Sequence, residues 1–245
     1  ARPDDLPNSA IGESFESPEL IIESRYARDE LFIQSDNSRL SLGTIRWPVI
    51  TLRYTKGLKG VLNSNFEYDK LRLSVYRRIR FGPLGAGYFN LTAEKVFTTL
   101  PYPLMALHLG NETPLYTSIT YNLMNFGEFI SDRFASLQYE HHFEGFLLNK
   151  IPLMRKLKWR LVGTANVIYG GLSQKNRDII APITPDGRPT LAFGYFQPDR
   201  PYIELGYGVE NIFKFFRVDF VHRLSYLGNP DIRKFAVLFS FQFTL

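Results

Sequence analysis

The chain has 245 residues, 44% hydrophobic and 22% charged, with a net charge of +5. That balance excludes a disordered tail, and no run reaches the roughly 18 to 20 apolar residues of a membrane-spanning helix. Cysteine is absent, which excludes disulfides, thiolate metal ligands and thiol nucleophiles. The basic residues are scattered along the chain rather than gathered in one block, so no nucleic-acid partner is expected. Aromatic residues make up 15% of the chain, with 21 Phe and 14 Tyr, and their placement carries most of the information.

In chain order, residues 1–18 read as an N-terminal extension or loop without a signal peptide, and residues 19–245 as one β domain. Helical periodicity fits almost nowhere, whereas strict alternation recurs. It predicts nine strands, at residues 19–27, 48–55, 70–81, 85–97, 134–143, 156–169, 202–210, 216–226 and 234–245, with "LYTSITYNLM" (115–124) as a candidate tenth. In the third, Leu71, Leu73, Val75, Ile79 and Phe81 oppose Arg72, Arg78 and Arg80. The fourth sets Phe89 and Leu91 against Glu94, and the fifth sets Leu137 and Tyr139 against Glu140 and His142. In the sixth, Leu161 and Val167 oppose Lys158 and Arg160. The seventh opposes Leu205 and Tyr207 to Glu204 and Glu210, and the eighth opposes Val218 and Phe220 to Arg217, Asp219 and Arg223. The last carries Phe235, Val237, Phe239, Phe241, Phe243 and Leu245 on one face.

Strands of this length, with long apolar faces and charged opposite faces, predict an all-β, antiparallel transmembrane β-barrel. About eight to ten of its strands lie in this chain. The charged residues named above would line a lumen and pair across strands, while Leu161, Val218, Phe220, Phe239 and Phe241 meet lipid. Attraction of anionic solutes or lipopolysaccharide phosphates is the alternative reading of Arg72, Arg78 and Arg80. His222 shares the apolar parity and is expected near the external interface. Trp47, Tyr54, Phe81, Tyr169, Tyr202 and Tyr226 suit interfacial girdles. With the C-terminus in the periplasm, the long loops 98–132 and 170–200 fall outside and the short turns 82–85 and 211–215 inside. Nine strands is an odd number, so the first and last would run parallel on closure. A further strand is therefore expected, from residues 115–124, from upstream chain or from another membrane or periplasmic subunit.

Several words of the sequence carry a resemblance: "RWPVITLRYTKGLKG", "YNLMNFGEFISDR", "YEHHFEGFLLNKIPLMRKLKWR" and "PYIELGYGVENIFKFFRVDFVHRLSYL". From about Glu19 to Leu245 the chain resembles the C-terminal barrel portion of a Bacteroidota outer-membrane family of unknown function. Members of that family carry an N-terminal carboxypeptidase-regulatory-like domain. The resemblance implies a Gram-negative outer membrane, with lipid and lipopolysaccharide as surroundings, and no established reaction. The terminal aromatic row is also similar to the segment that the barrel-assembly machinery reads in outer-membrane proteins, although it ends in Leu245 rather than Phe.

Candidate chemistry concentrates at Asp132, Glu140, His141, His142 and Glu144. A histidine among carboxylates is the composition of a hydrolase base, so a barrel lipase or protease using His142 is one alternative reading. Adjacent histidines on a strand point to opposite faces and make a poor metal pair, so no metal is expected. "GPLGAGYF" lacks the lysine and following helix of a phosphate cradle and reads as a turn. No cofactor is expected. The reading is a non-enzymatic outer-membrane barrel acting as a pore, an export or insertion scaffold, or an envelope-complex subunit; a soluble lipid-binding barrel is the remaining alternative.

Overall fold

The computed structural model describes residues 16–35, 38–44, 46–62, 64–178 and 194–241. The strands in chain order are β1 (Glu19–Ala27), β2 (Glu30–Ser35), β3 (Ser38–Thr44), β4 (Val49–Gly57), β5 (Tyr68–Arg80), β6 (Ala86–Val96) and β7 (Ala106–Leu107). They continue with β8 (Phe129–Ser131), β9 (Arg133–His142), β10 (Arg160–Gly171), β11 (Gly194–Tyr195), β12 (Tyr202–Ile212), β13 (Phe216–Arg223) and β14 (Phe235–Phe241). Nine of them form one antiparallel sheet in the order β1-β4-β5-β6-β9-β10-β12-β13-β14. These nine are the strands that alternation predicts, with ends moved by a few residues. A hairpin, β2–β3, extends from one end of the sheet, and β11-β8-β7 make a small second sheet.

Two expectations are corrected. The strand expected from residue 156 begins at Arg160, because Pro152–Leu157 forms a short helix, α1, with proline in its first turn. Proline has no N–H to lose there and its φ is preset for a helix. Lys158 ends α1 in a left-handed conformation (φ 56°), so it belongs to a turn and not to the ladder. The segment "LYTSITYNLM" makes two isolated bridges, Leu115 to Phe239 and Tyr121 to Gly110, rather than a strand. Local side chains take its backbone groups instead: Asn122 accepts from Thr117 N–H and donates to Thr117 C=O.

Alternation separates the two faces of the sheet. On β13, Arg217, Asp219, Val221 and Arg223 are buried, while Phe216, Val218, Phe220 and His222 are half-buried on the other side. On β14, Phe235, Val237, Phe239 and Phe241 are exposed and Leu238 is buried; Phe243 and Leu245 lie outside the described residues. The apolar side chains are thus on the open face and the charges on the covered one, the reverse of an ordinary soluble sheet. Residues 97–132 and the small sheet cover the charged face toward β14, while on β1 and β4 its Glu23, Arg25 and Arg53 stay exposed. The covering residues pack in aromatic clusters, one joining Tyr121, Met124, Phe129 and Phe196 to Ile168, Tyr202 and Tyr226. This corrects a third expectation: Tyr202 and Tyr226 are buried on the covered side and do not belong to an interfacial girdle.

The sheet is open. Among the described residues no pairing joins β1 to β14, and β1 has β4 as its one neighbour. The free side of β14 is met by the covering segment: Tyr116 N–H donates to Phe239 C=O (2.8 Å) and Phe239 N–H to Pro114 C=O (3.0 Å).

The β5–β6 connection depends on a glycine. Gly85 has φ 97° and ψ −146°, and a Cβ there would lie 1.9 Å from the His142 carbonyl oxygen. Gly82, at φ 59°, has open space around its Cβ position. Gly85→Ala should therefore lower the unfolding free energy by about 2–3 kcal/mol, and Gly82→Ala by about 1 kcal/mol. Chemical denaturation of the two variants checks the order, and equal losses would contradict the backbone-contact argument.

Candidate functional site

Three positions that alternation places on one face converge at the middle of the covered side. Glu140 (β9), Arg217 and Asp219 (β13) come from strands separated in the sheet by β10 and β12. The Arg217 guanidinium donates from Nε and one terminal nitrogen to both Asp219 oxygens, at 2.8 Å each. Its terminal nitrogens also reach Glu140 at 3.0 and 3.1 Å. This double fork uses the planar donor geometry that only arginine has. Arg217 is 1% exposed and Asp219 fully buried, so the arrangement is held away from water.

The covering segment completes it. Tyr116 O–H donates to Glu140 (2.8 Å), and the Arg217 guanidinium lies 4.4 Å from the Tyr116 ring centre. On the far side of Glu140, His142 bonds Glu140 through Nε2 (2.7 Å) and Glu210 through Nδ1 (2.8 Å). Both ring nitrogens are engaged by carboxylates, and the imidazole meets the Tyr88 ring edge-on. Beside the network lies a cavity of about 440 Å³, lined by Tyr76, Tyr88, Asn90, Gln138, Glu140 and His142 among others.

A second group of contacts fastens residues 122–128 to the sheet. Glu204, 1% exposed, accepts the backbone N–H groups of Asn122 (2.9 Å) and Leu123 (2.6 Å) and the Tyr202 hydroxyl (2.6 Å). Arg223 donates to both oxygens of Glu128 (2.8 and 2.5 Å) and to the carbonyls of Ser225 and Tyr226. Glu128 in turn accepts the Asn125 N–H and the Asn229 side chain. Nearer β9, His108 is buried between Phe134 and Phe196 and bonded to the Ser131 hydroxyl (2.7 Å). Burial, with a smaller contribution from Arg72, pushes the imidazole down to about 3, so it is neutral and structural.

The other expected residues divide. Glu94 is buried on the covered face and accepts from Arg72, which stands directly opposite in the β5–β6 register. Glu210 and Arg160 also stand opposite one another, with Arg160 exposed. Arg78 and Arg80 lie at the end of β5; Arg78 stands opposite Tyr88, which in turn stands opposite Glu140, and neither arginine has a carboxylate directly opposite it on β6. His141 faces the apolar side, between Phe81 and Phe143. His222 also lies there, beside Tyr207 and Phe235. Among the described residues no group of His, Asp and Glu has the arrangement of a metal site. Sequence reasoning missed Tyr116, Asn122 and Glu128, which act from a non-periodic segment. Part of their signal was present in "YNLMNFGEFISDR", the word that carries the resemblance.

If Glu204 holds the covering segment, Glu204→Ala should speed amide exchange at Asn122 and Leu123 about 10- to 100-fold, from the loss of two charge-assisted bonds. Amides in the β5–β6 ladder should hold. Hydrogen exchange resolved by peptide checks this, and unchanged protection at residues 122–123 would show that the segment is held elsewhere.

No curated protein and no solved structure matches the chain. A family model does, over residues 5–176, which include β1 to β10 and the covering segment with its Asn122–Glu128 anchor. The likeness seen in residues 201–227 lies beyond the matched part. The chain belongs to the family of unknown function DUF5686, matching the model of its C-terminal domain.

Proposed function

We propose that this sheet is the wall of a transmembrane β-barrel in a Gram-negative outer membrane, with its charged face on a lumen plugged by residues 97–132. The observation that carries the reading is an uncharged band across the open face. On β5 it runs through Leu71, Leu73 and Val75, and Asp69 and Arg77 bound it, about 26 Å apart along the strand. Leu91 and Leu137 continue it on β6 and β9 in direct register with Val75. Toward β14, Tyr207, Phe220 and Val237 stand side by side. Lys56 stands opposite Asp69 at this boundary, while on β6 and β9 the boundary is drawn at Lys95 and Arg133, in register with Leu71. Tilted by about 40°, a strand of that length spans about 20 Å along the membrane normal, somewhat less than the apolar band of about 25 Å in outer-membrane barrels.

The plug favours a gated export or insertion scaffold, or an envelope-complex subunit, over an open pore. The soluble lipid carrier fits poorly, since such a barrel keeps its apolar face inside and this sheet has it outside. The hydrolase reading also fits poorly, because His142 has both ring nitrogens bonded to carboxylates and none aimed at a nucleophile. An outer-membrane wall with an odd number of strands needs at least one strand more to close antiparallel.

Phe220→Arg, in the middle of the apolar face of β13, should cost about 2–4 kcal/mol of stability in bilayers or detergent. Fractionation should find the parent protein in detergent-extracted outer membrane. Recovery of the wild type in the aqueous fraction, or an Arg variant as stable as the parent, would overturn the membrane assignment.

A further inference from the structure

Several arginines of the first strands have carboxylate partners. Arg25 pairs with Glu30, Arg53 with Glu23 and Arg72 with Glu94. At the end of β5, by contrast, Arg77, Arg78 and Arg80 come together with Arg46, which follows the β2–β3 hairpin. These four line a cavity of about 520 Å³ closed on the hairpin side by Gly43 and Thr44, and among the described residues no carboxylate lines it. None of the four has an ion-pair partner among the described residues. The Arg78 Nε is buried without a hydrogen-bond partner, while its guanidinium lies 5.4 Å from the Tyr88 ring centre.

Four like charges around one cavity repel each other, and a buried N–H without an acceptor is unfavourable. Glu30, the nearby acid of the hairpin, is already occupied by Arg25 and Ser41. An anion with several oxygens would answer both problems. A carboxylate satisfies one guanidinium fork, whereas a tetrahedral phosphate offers oxygens to two or more. Arg77 sits on the apolar face and Arg78 and Arg80 on the other, so the cavity straddles the edge of the uncharged band. Trp47 and Phe81 are exposed at the same end, as aromatics are where a membrane meets water.

We infer that Arg46, Arg77, Arg78 and Arg80 form a binding site for a phosphate ester. A phospholipid head group at the rim of the band is the first source to test, and that part rests on the membrane reading; a soluble phosphate is the second. In the lipid arm, the full chain in neutral detergent is mixed with phosphatidylglycerol or with dioleoylglycerol, which lacks the phosphate. Bound lipid is counted by native mass spectrometry. In the soluble arm, thermal unfolding is followed with increasing inorganic phosphate, using sodium chloride at equal ionic strength as control. Both arms compare the wild type with Arg78→Gln/Arg80→Gln and with Arg160→Gln, an exposed arginine outside the cavity.

The expected result is retention of phosphatidylglycerol over dioleoylglycerol, about tenfold weaker in the double variant and unchanged in Arg160→Gln. Stabilisation by phosphate without lipid retention, again lost in the double variant alone, would support the site and assign it to a soluble ligand. Absence of both effects in the wild type, or their persistence in the double variant, would overturn the inference. The soluble arm does not depend on the membrane assignment, so failure of that assignment is read separately, from the fractionation.

Discussion

A guanidinium removed from water between two carboxylates is the constraint on which this sheet depends. Arg217 is held by Asp219 on its own strand and by Glu140 two strands beyond β12. Removing one member of such a buried set leaves an uncompensated charge, at a cost of about 3–5 kcal/mol. The polar parity of β9 and β13 must therefore point to the same side, and every register between them follows, since a slip by one residue reverses a strand's faces. Once the charges occupy the covered face, the opposite parity must carry Tyr139, Tyr207 and Phe220 on the open one. The unusual aromatic content is the counterpart of that choice.

The covered face is not filled by the sheet alone. Glu204 and Arg223 stand opposite each other in the β12–β13 register, yet they do not answer one another directly in the hydrogen bonds above. Glu204 takes two backbone amides of the covering segment, and Arg223 takes Glu128 from it. The wall thus supplies charge to bind a loop, and the loop supplies the counter-groups that make the wall's charges tolerable. Tyr116 repeats this at Glu140, where the hydroxyl and the ring face of one residue answer an anion and a cation together.

This division explains what was legible in the sequence. A period of two over nine or more residues is a strong signal, so β5, β6, β9 and β12 and the faces of Glu140, His142, Arg217 and Asp219 could be read directly, whereas β1, with Leu20, Ile21 and Ile22 in a row, alternates only weakly. Tyr116, Asn122 and Glu128 could not, because they lie in a segment whose backbone bonds to side chains 80 or more residues away, as Leu123 does to Glu204. Alternation also misled at Lys158: Leu157 and Trp159 continue the pattern of β10, but Pro152 starts a helix that runs over it. Arg78 and Arg80 were read as partners in an acidic ladder by parity with Arg72, yet only Arg72 has a glutamate in the opposite strand; Arg78 faces Tyr88 and Arg80 faces Ala86.

The two edges of the sheet differ in a way that ties the membrane reading to the strand count. At β14 the backbone groups of Phe239 are paired with Pro114 and Tyr116, so the covering segment serves the edge as well as the charged face. At β1 the side away from β4 has no ladder among the described residues, and Leu20, Ile22 and Tyr26 expose apolar surface beside it. In water such an edge is tolerable, since solvent satisfies its N–H and C=O groups. In hydrocarbon each unsatisfied group costs several kcal/mol, and a strand of nine residues carries several on its free side. A bilayer around the aromatic band therefore requires a neighbour for β1, and with nine strands already alternating in direction that neighbour cannot be β14 in an antiparallel ladder. The membrane assignment and the need for a further strand stand or fall together.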